Sequence, residues 1–179
     1  MILVIDVNSS KNKFGRDEFV RPINNIVKGE IKHYSEVNLE EAKKYDLIII
    51  CGTALRDNVY LDSIEKFEWI KEYHGIIVGI CAGMQILGMI FGCSLKECKE
   101  IGMTKINKTK ENKFFSTGFE AYELHNYALD INDEFEIFGK SNKCAQVIKH
   151  KTREFYGFLF HFEVRNKHFI DGFLEKKKG

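Results

Sequence analysis

The chain has 179 residues, with 27 basic and 26 acidic side chains and a formal net charge of +1, a balance that argues against a dedicated nucleic-acid binder. Hydrophobic residues make up 44%, enough to bury a sizeable core and to exclude a disordered protein. The longest uncharged apolar run is too short to span a membrane. The first strand starts at Ile2 with no signal peptide before it, and the five cysteines are an odd number. A reducing, cytoplasmic protein without structural disulfides is therefore expected. Cys93 and Cys98 lie five apart with no second pair, a poor pattern for zinc, so neither a metal nor a cofactor is expected.

Ile2 to Val7 reads as a buried strand, followed by a polar loop from Asn8 to Gly15. Asp17 to Val27 places Phe19, Ile23, Ile26 and Val27 at helical spacing, with Pro22 limiting or kinking the first turn. Ile31 to Tyr34 is a short second strand. Asn38 can cap a helix running to Lys44, with Glu40 and Glu41 in its first turn. Asp46 to Cys51 is a third strand, ending at Gly52-Thr53 and a polar loop through Asn58. Asp62 is expected to cap a helix carrying Ile64, Phe67, Trp69 and Ile70.

Ile76 to Ile80 is an apolar, β-branched run with the length of a buried parallel strand, and Met84 to Phe91 continues as an apolar helix. Cys81 stands between them, flanked by Gly79 and Gly83. Gly-x-Cys-x-Gly between a strand and a helix is the nucleophile-elbow pattern with cysteine in place of serine. The small flanks suit a sharp, strained turn, and the helix N-terminus beneath the sulfur favours a thiolate. A buried cysteine among glycines can also be simple packing; the strand before and the helix after favour chemistry.

This alternation of strands and helices predicts an open, mainly parallel sheet with helices on both faces. Ligands of such sheets bind beyond the C-terminal strand ends, which sets Asn8, Gly52, Thr53 and Cys81 on one rim. After Phe91 come shorter strand candidates, Gly102 to Ile106, Phe119 to Leu124, Glu134 to Phe138, Ala145 to Ile148 and Phe155 to Phe160, read as antiparallel sheet added to the α/β core. Asn166 to Leu174 reads as a closing helix before a solvated Lys176-Lys177-Lys178 tail. No repeat or linker divides the chain, so residues 1–179 are expected to form a single domain.

A reactive cysteine needs a base, and the base usually needs an orienting group. His161 follows Tyr156-Gly157-Phe158-Leu159-Phe160, and Glu163 is two residues further on. In isolation His-x-Glu is a common surface accident; together with the elbow it completes a triad. These motifs resemble those of the class I, triad-type glutamine amidotransferases, which carry Gly-x-Cys-x-Gly and, later in the chain, Tyr-Gly-x-x-Phe-His-Pro-Glu. The resemblance covers nearly the whole chain in element order and implies the flavodoxin-like fold of that family. It implies Cys81 as nucleophile, His161 as acid and base, and Glu163 as the orienting carboxylate. Gln85 would help to hold the substrate. The backbone of His125-Asn126-Tyr127 would grip its α-amino and carboxylate groups, unless that segment is an ordinary strand-end turn.

The tail, from Lys149-His150-Lys151-Thr152 to Glu163-Val164, is similar to the separate glutaminase subunit of archaeal-type GMP synthase, a purine-biosynthetic enzyme. Cys-Ala-Gly-Met-Gln at the elbow is closer to the glutaminase of imidazole glycerol phosphate synthase. Three positions depart from the family: Phe162 replaces its proline, Gly52-Thr53-Ala54 replaces Gly-Gly-Pro or Asn-Gly-Pro, and the first strand lacks Asn-Gly-Gly-Gln. The Ala82 N–H, with that of Gly52 or Thr53, would form the oxyanion hole.

The implied activity is hydrolysis of L-glutamine through a γ-glutamyl thioester. No ATP-binding motif is present, so an ATP-dependent synthetase on a partner chain would use the ammonia. Two readings compete: a non-catalytic or regulatory binding module, and a hydrolase of another γ-glutamyl compound or a stress-type protein with an elbow cysteine. Cys51 is read as core, Arg56 and Asp57 as a solvated rim loop, and His150 as part of a solvated hairpin. His33, His74 and His168 have no supporting constellation.

Overall fold

The computed structural model describes residues 1–10 and 12–175; the expected lysine tail lies outside them. Three apolar runs form the middle of the sheet as β1 (Ile2–Asp6), β3 (Leu47–Ile50) and β4 (Ile76–Ile80). Their residues are buried apart from Ile2 and Ile76, as expected of strands covered on both faces. β2 (Glu30–His33) is the half-exposed edge beside β1.

Alternate side chains of these strands feed two cores. Val4, Ile49, Val78 and Ile80 pack with Val20, Ile23, Phe169 and Phe173 on one face. Leu3, Ile5, Ile48 and Ile50 pack with Phe67, Ile70, Ile86 and Leu87 on the other. Each such side chain contributes roughly 1.5–3 kcal/mol when fully buried.

The first helical region is more broken than its spacing suggests. A turn, α1 (Lys13–Gly15), leads into a π-turn at Arg16–Val20 and then α2 (Arg21–Val27). Pro22 is the cause. A proline disrupts the ladder of the preceding turn, and here that turn widens, with the Arg21 N–H donating to Arg16 O five residues back. Asn38 caps α3 (Leu39–Ala42) through its Oδ1, 2.9 Å from the Glu41 N–H.

The expected helix capped by Asp62 is corrected. Val59–Glu72 forms 3₁₀ turns that begin before Asp62 and break at Ser63, and Asn58 precedes them without a side-chain cap. Phe67 and Ile70, three apart, share one buried face, which suits a three-residue turn. The segment packs against α4 (Ala82–Ile90).

The second half is antiparallel but longer than predicted. β5 (Ser94–Lys108) and β6 (Phe119–Asp130) form an extended ladder; β7 (Phe135–Lys140) and β8 (Ala145–His150) follow. β9 (Phe155–Phe158) is the seam, parallel to β4 on one side and antiparallel to β8 on the other. Among the described residues nine strands run in the order β2-β1-β3-β4-β9-β8-β7-β5-β6. The last element is α5 (His168–Glu175), shifted slightly from the expected Asn166 to Leu174. Among the described residues no helix is long and apolar enough to cross a membrane.

Candidate active site

Cys81 joins β4 to α4 with φ 49° and ψ −103°. A positive φ is uncommon outside glycine and marks a strained turn. Two close approaches make the turn possible. A Cβ on Gly83 would lie 2.1 Å from Ile50 O, and one on Gly79 would lie 2.5 Å from the Gly83 carbonyl carbon. The Cys81 N–H donates to Phe158 O at 2.8 Å, tying the elbow to β9.

His161 lies just beyond β9. Its N–H donates to Tyr122 O of β6 at 2.9 Å, and its carbonyl accepts from the Val164 N–H at 3.1 Å. That turn brings His161 Nδ1 to 2.8 Å from Glu163 Oε1. A carboxylate can only accept, so Nδ1 carries the proton and Nε2 is left to exchange one. Nε2 has no hydrogen-bond partner. Burial pushes the imidazole pKa down, but the negative charges of Glu163 and Cys81 more than offset it and hold His161 well above its ordinary value. Phe162 lies within this turn, its ring buried 5.4 Å from that of Phe158.

Gly52 joins the two groups. A Cβ there would stand 2.7 Å from His161 Cε1 and 3.3 Å from Cys81 Cβ. Thr53 lines the pocket beside Cys81, together with Gln85 and residues 124–127. The thiol of Cys81 donates to Leu124 O at 3.7 Å. Both ends of the Gln85 amide are engaged: Oε1 accepts from Tyr60 Oη at 2.5 Å, and Nε2 donates to Tyr127 O at 2.9 Å. Asn126 Nδ2 donates to Leu55 O at 3.0 Å, holding β6 against the loop after β3. The sequence reading missed Tyr60, Leu124 and Leu55. Leu124 and Leu55 act through their carbonyls, which leave no side-chain signal, and Tyr60 reads as core.

His125 lines the pocket with Asn126 and Tyr127, and its side chain bonds to Cys98 O through Nδ1 at 2.9 Å. Two other expectations, on Asp57 and His150, are corrected. Asp57 is buried, its Oδ2 accepting at 2.9 Å from both the Ser9 N–H and Asn12 Nδ2, because it ties two rim loops together; Arg56 is exposed. His150 is buried against Phe91, ring centroids 4.5 Å apart, and burial lowers its pKa. Cys51 is core as read, and burial pushes its thiol pKa well up. His33 bonds to Ser35 Oγ and Asn8 O.

A thiol on a strained elbow, a buried His–Glu pair beside it and an α/β sheet that is parallel in its first half and antiparallel in its second define a cysteine-dependent enzyme of the amidotransferase kind. The profile of the class-I glutamine amidotransferases matches residues 5–177, and the chain belongs to that family. Among its relatives is a glutamine-hydrolysing GMP synthase subunit of Thermoplasma acidophilum, 28% identical over 140 residues. That match covers 74% of this chain and 70% of the relative. The corresponding Methanocaldococcus jannaschii protein is 33% identical over 106 residues, 55% of this chain and 56% of the relative.

A solved T. acidophilum structure, assigned to a GMP synthase subunit, superposes with a TM-score of 0.79 at 25% identity, covering 99% of this chain and 97% of that one. A glutamine amidotransferase from Thermotoga maritima shares the fold at a TM-score of 0.67 and 23% identity, covering 99% and 84% of the two chains.

Proposed function

We propose that the chain is a glutaminase, hydrolysing L-glutamine to glutamate and ammonia with Cys81, His161 and Glu163 as its triad. The convergence of the elbow thiol and the buried His161–Glu163 pair around Gly52 carries this reading. In the reaction, His161 Nε2 takes the proton of the Cys81 thiol, and the thiolate Sγ attacks the side-chain carbonyl carbon of glutamine. The N–H groups of Ala82 and of Gly52 or Thr53 hold the oxyanion. The C–N bond breaks as His161 Nε2 gives its proton to the departing ammonia. A water then loses a proton to Nε2, attacks the thioester, and frees glutamate and the thiolate.

In this reading Gln85, braced by Tyr60, positions Tyr127, and the backbone of His125, Asn126 and Tyr127 receives the amino-acid end of the substrate. The likeness to GMP synthase subunits from two archaea supports an ATP-dependent synthetase of that type as the partner that uses the ammonia. The working unit is a single cytoplasmic domain.

Labelling with a diazo-ketone analogue of glutamine, followed by intact-mass analysis, tests the site. One adduct on wild type, blocked by excess glutamine and absent from Cys81→Ser, is expected. No adduct on folded protein, alone or with cell extract, would exclude the glutaminase and favour a non-catalytic binding module.

A further inference from the structure

A second cluster of chemistry-bearing side chains lies between the β5–β6 ladder and the turn into β8, and glutamine hydrolysis leaves its thiols and carboxylates unused. Glu100 and His125 sit opposite each other across the ladder, next to a break in register between Glu97 and Glu100. Such bulges re-aim side chains, and here Cys98 and Glu100 meet Cys144, which comes from the turn before β8. The ligand atoms of Cys98, Glu100 and Cys144 all lie within 4.8 Å of one another, as do those of Glu100, Glu123 and His125.

We propose that this cluster is a zinc site, with the Cys98 and Cys144 thiolates, a Glu100 carboxylate oxygen and His125 Nε2 as ligands. The donor set of two sulfurs, one nitrogen and one oxygen suits a tetrahedral, thiophilic dication. Cys98, Glu100 and Cys144 already converge, whereas His125 Nε2 clusters with Glu100 and Glu123 and has to close on the ion as the fourth ligand. Glu100 Oε2 is 3.3 Å from Cys144 Sγ and 3.4 Å from His125 Nε2. Bond lengths of 2.0–2.3 Å put neighbouring ligands of a tetrahedral zinc roughly 3.3–3.8 Å apart.

Two further observations point to a cation. His125 Nδ1 donates to Cys98 O at 2.9 Å, which turns the lone pair of Nε2 into the cluster. Zinc-binding histidines are commonly oriented in this way, with the other ring nitrogen on a carbonyl. That Nε2 has no hydrogen-bond partner although His125 is only 2% exposed. Beside it, neither oxygen of the fully buried Glu123 has a hydrogen-bond partner, and Glu123 Oε2 lies 3.2 Å from Nε2. Ser141 Oγ at 3.1 Å and Gln146 Nε2 at 2.8 Å give Glu100 neutral donors. Buried carboxylates so arranged are costly without a counter-charge; a protonated His125 between them offers one positive charge, and a dication offers two. An ion has ways in, since Cys98 lines one surface hollow with Lys99 and Tyr127, and Cys144 lines another with Asn142 and Lys143.

The test uses the full chain with Cys81→Ser, so that the elbow thiol cannot contribute, kept reduced and freed of metal by a chelator. Titration with zinc or cobalt(II) should give about one equivalent bound per chain. Cobalt should show intense visible bands of a tetrahedral site and thiolate charge-transfer absorption. Zinc should raise the melting temperature. Adding Cys98→Ser and Cys144→Ser should abolish all three effects, whereas Cys93→Ser should leave them unchanged. Folding of each variant is checked by circular dichroism; the wild-type stoichiometry and cobalt spectrum decide even if the double variant unfolds. No stoichiometric binding, a cobalt spectrum without thiolate bands, or binding that survives loss of both cysteines would overturn the site.

Discussion

A methyl group on Gly52 would stand 2.7 Å from Cε1 of His161, so the imidazole occupies its place only because residue 52 has no side chain. Gly52→Ala should push the ring away from Cys81. We expect kcat/KM for glutamine to fall about 10²-fold, the scale of a misplacement near 1 Å. The far-ultraviolet spectrum should be unchanged. Activity within twofold of wild type would show that the ring has room to adapt.

The Glu163 carboxylate should govern the pH dependence. A histidine in the unfolded chain titrates near pH 6.5, and His161 in the fold titrates well above its ordinary value. The native state therefore holds this proton more tightly. The resulting stability is fully present below about pH 6.5 and is lost as pH rises through the folded value. Glu163→Gln removes one of the charges that raise it. The alkaline limb of kcat/KM should move to lower pH, and the wild-type advantage in urea midpoint should shrink as pH rises. A limb that stays in place in the variant would remove Glu163 from the role.

Tyr60 reaches the pocket through Gln85, with 2.5 Å between Tyr60 Oη and Gln85 Oε1. Tyr60→Phe leaves a buried amide oxygen without its donor, a loss of about 1–3 kcal/mol. It also loosens the amide that holds Tyr127 O. We expect a lower melting temperature and a raised KM for glutamine with a smaller change in kcat. An unaltered KM would confine Tyr60 to the core.

Phe162 stands where the family has proline, and its ring is fully buried beside Phe158. Phe162→Ala should cost about 3–5 kcal/mol in denaturant unfolding, with labelling of Cys81 preserved in the fraction that remains folded. A cost below about 1 kcal/mol would mean that the site collapses around the smaller side chain.

The cavity beside Cys81 is only about 10 Å³, close to the space of one water. We expect the 124–127 wall to move away from the loop after β3 when glutamine binds. Asn126→Ala, which frees Leu55 O from its 3.0 Å bond, should speed labelling of Cys81 by the glutamine analogue. Slower labelling would make Asn126 a substrate contact instead.

The parallel half is legible in the sequence to within a residue or two, because β1, β3 and β4 are buried on both faces and read as unbroken apolar runs. The meeting of Cys81, His161 and Glu163 is legible because the three residues sit in two short motifs. Of β5 the sequence marks Gly102 to Ile106 alone, since most of its residues from Ser94 to Glu100 are polar or charged and many face water. His150 misleads through its lysine neighbours, whose charges say nothing about the aromatic rings it meets from other strands. Cys98 pairs on paper with Cys93, its neighbour in sequence, whereas its neighbour in space is Cys144. Pairings made by a bulge and a distant turn leave no periodic trace.

Cys81, the proposed nucleophile, follows β4, and His161, its proposed base, follows β9, two strands that are neighbours in the sheet but far apart in the order of synthesis. As the chain leaves the ribosome, the elbow can form while the partner of its sulfur has not yet been translated. β9 can dock beside β4 only after β5 to β8 have emerged. A growing chain would thus carry a chemically quiet cysteine, and one ending anywhere before His161 would keep the elbow and have nothing to switch it on.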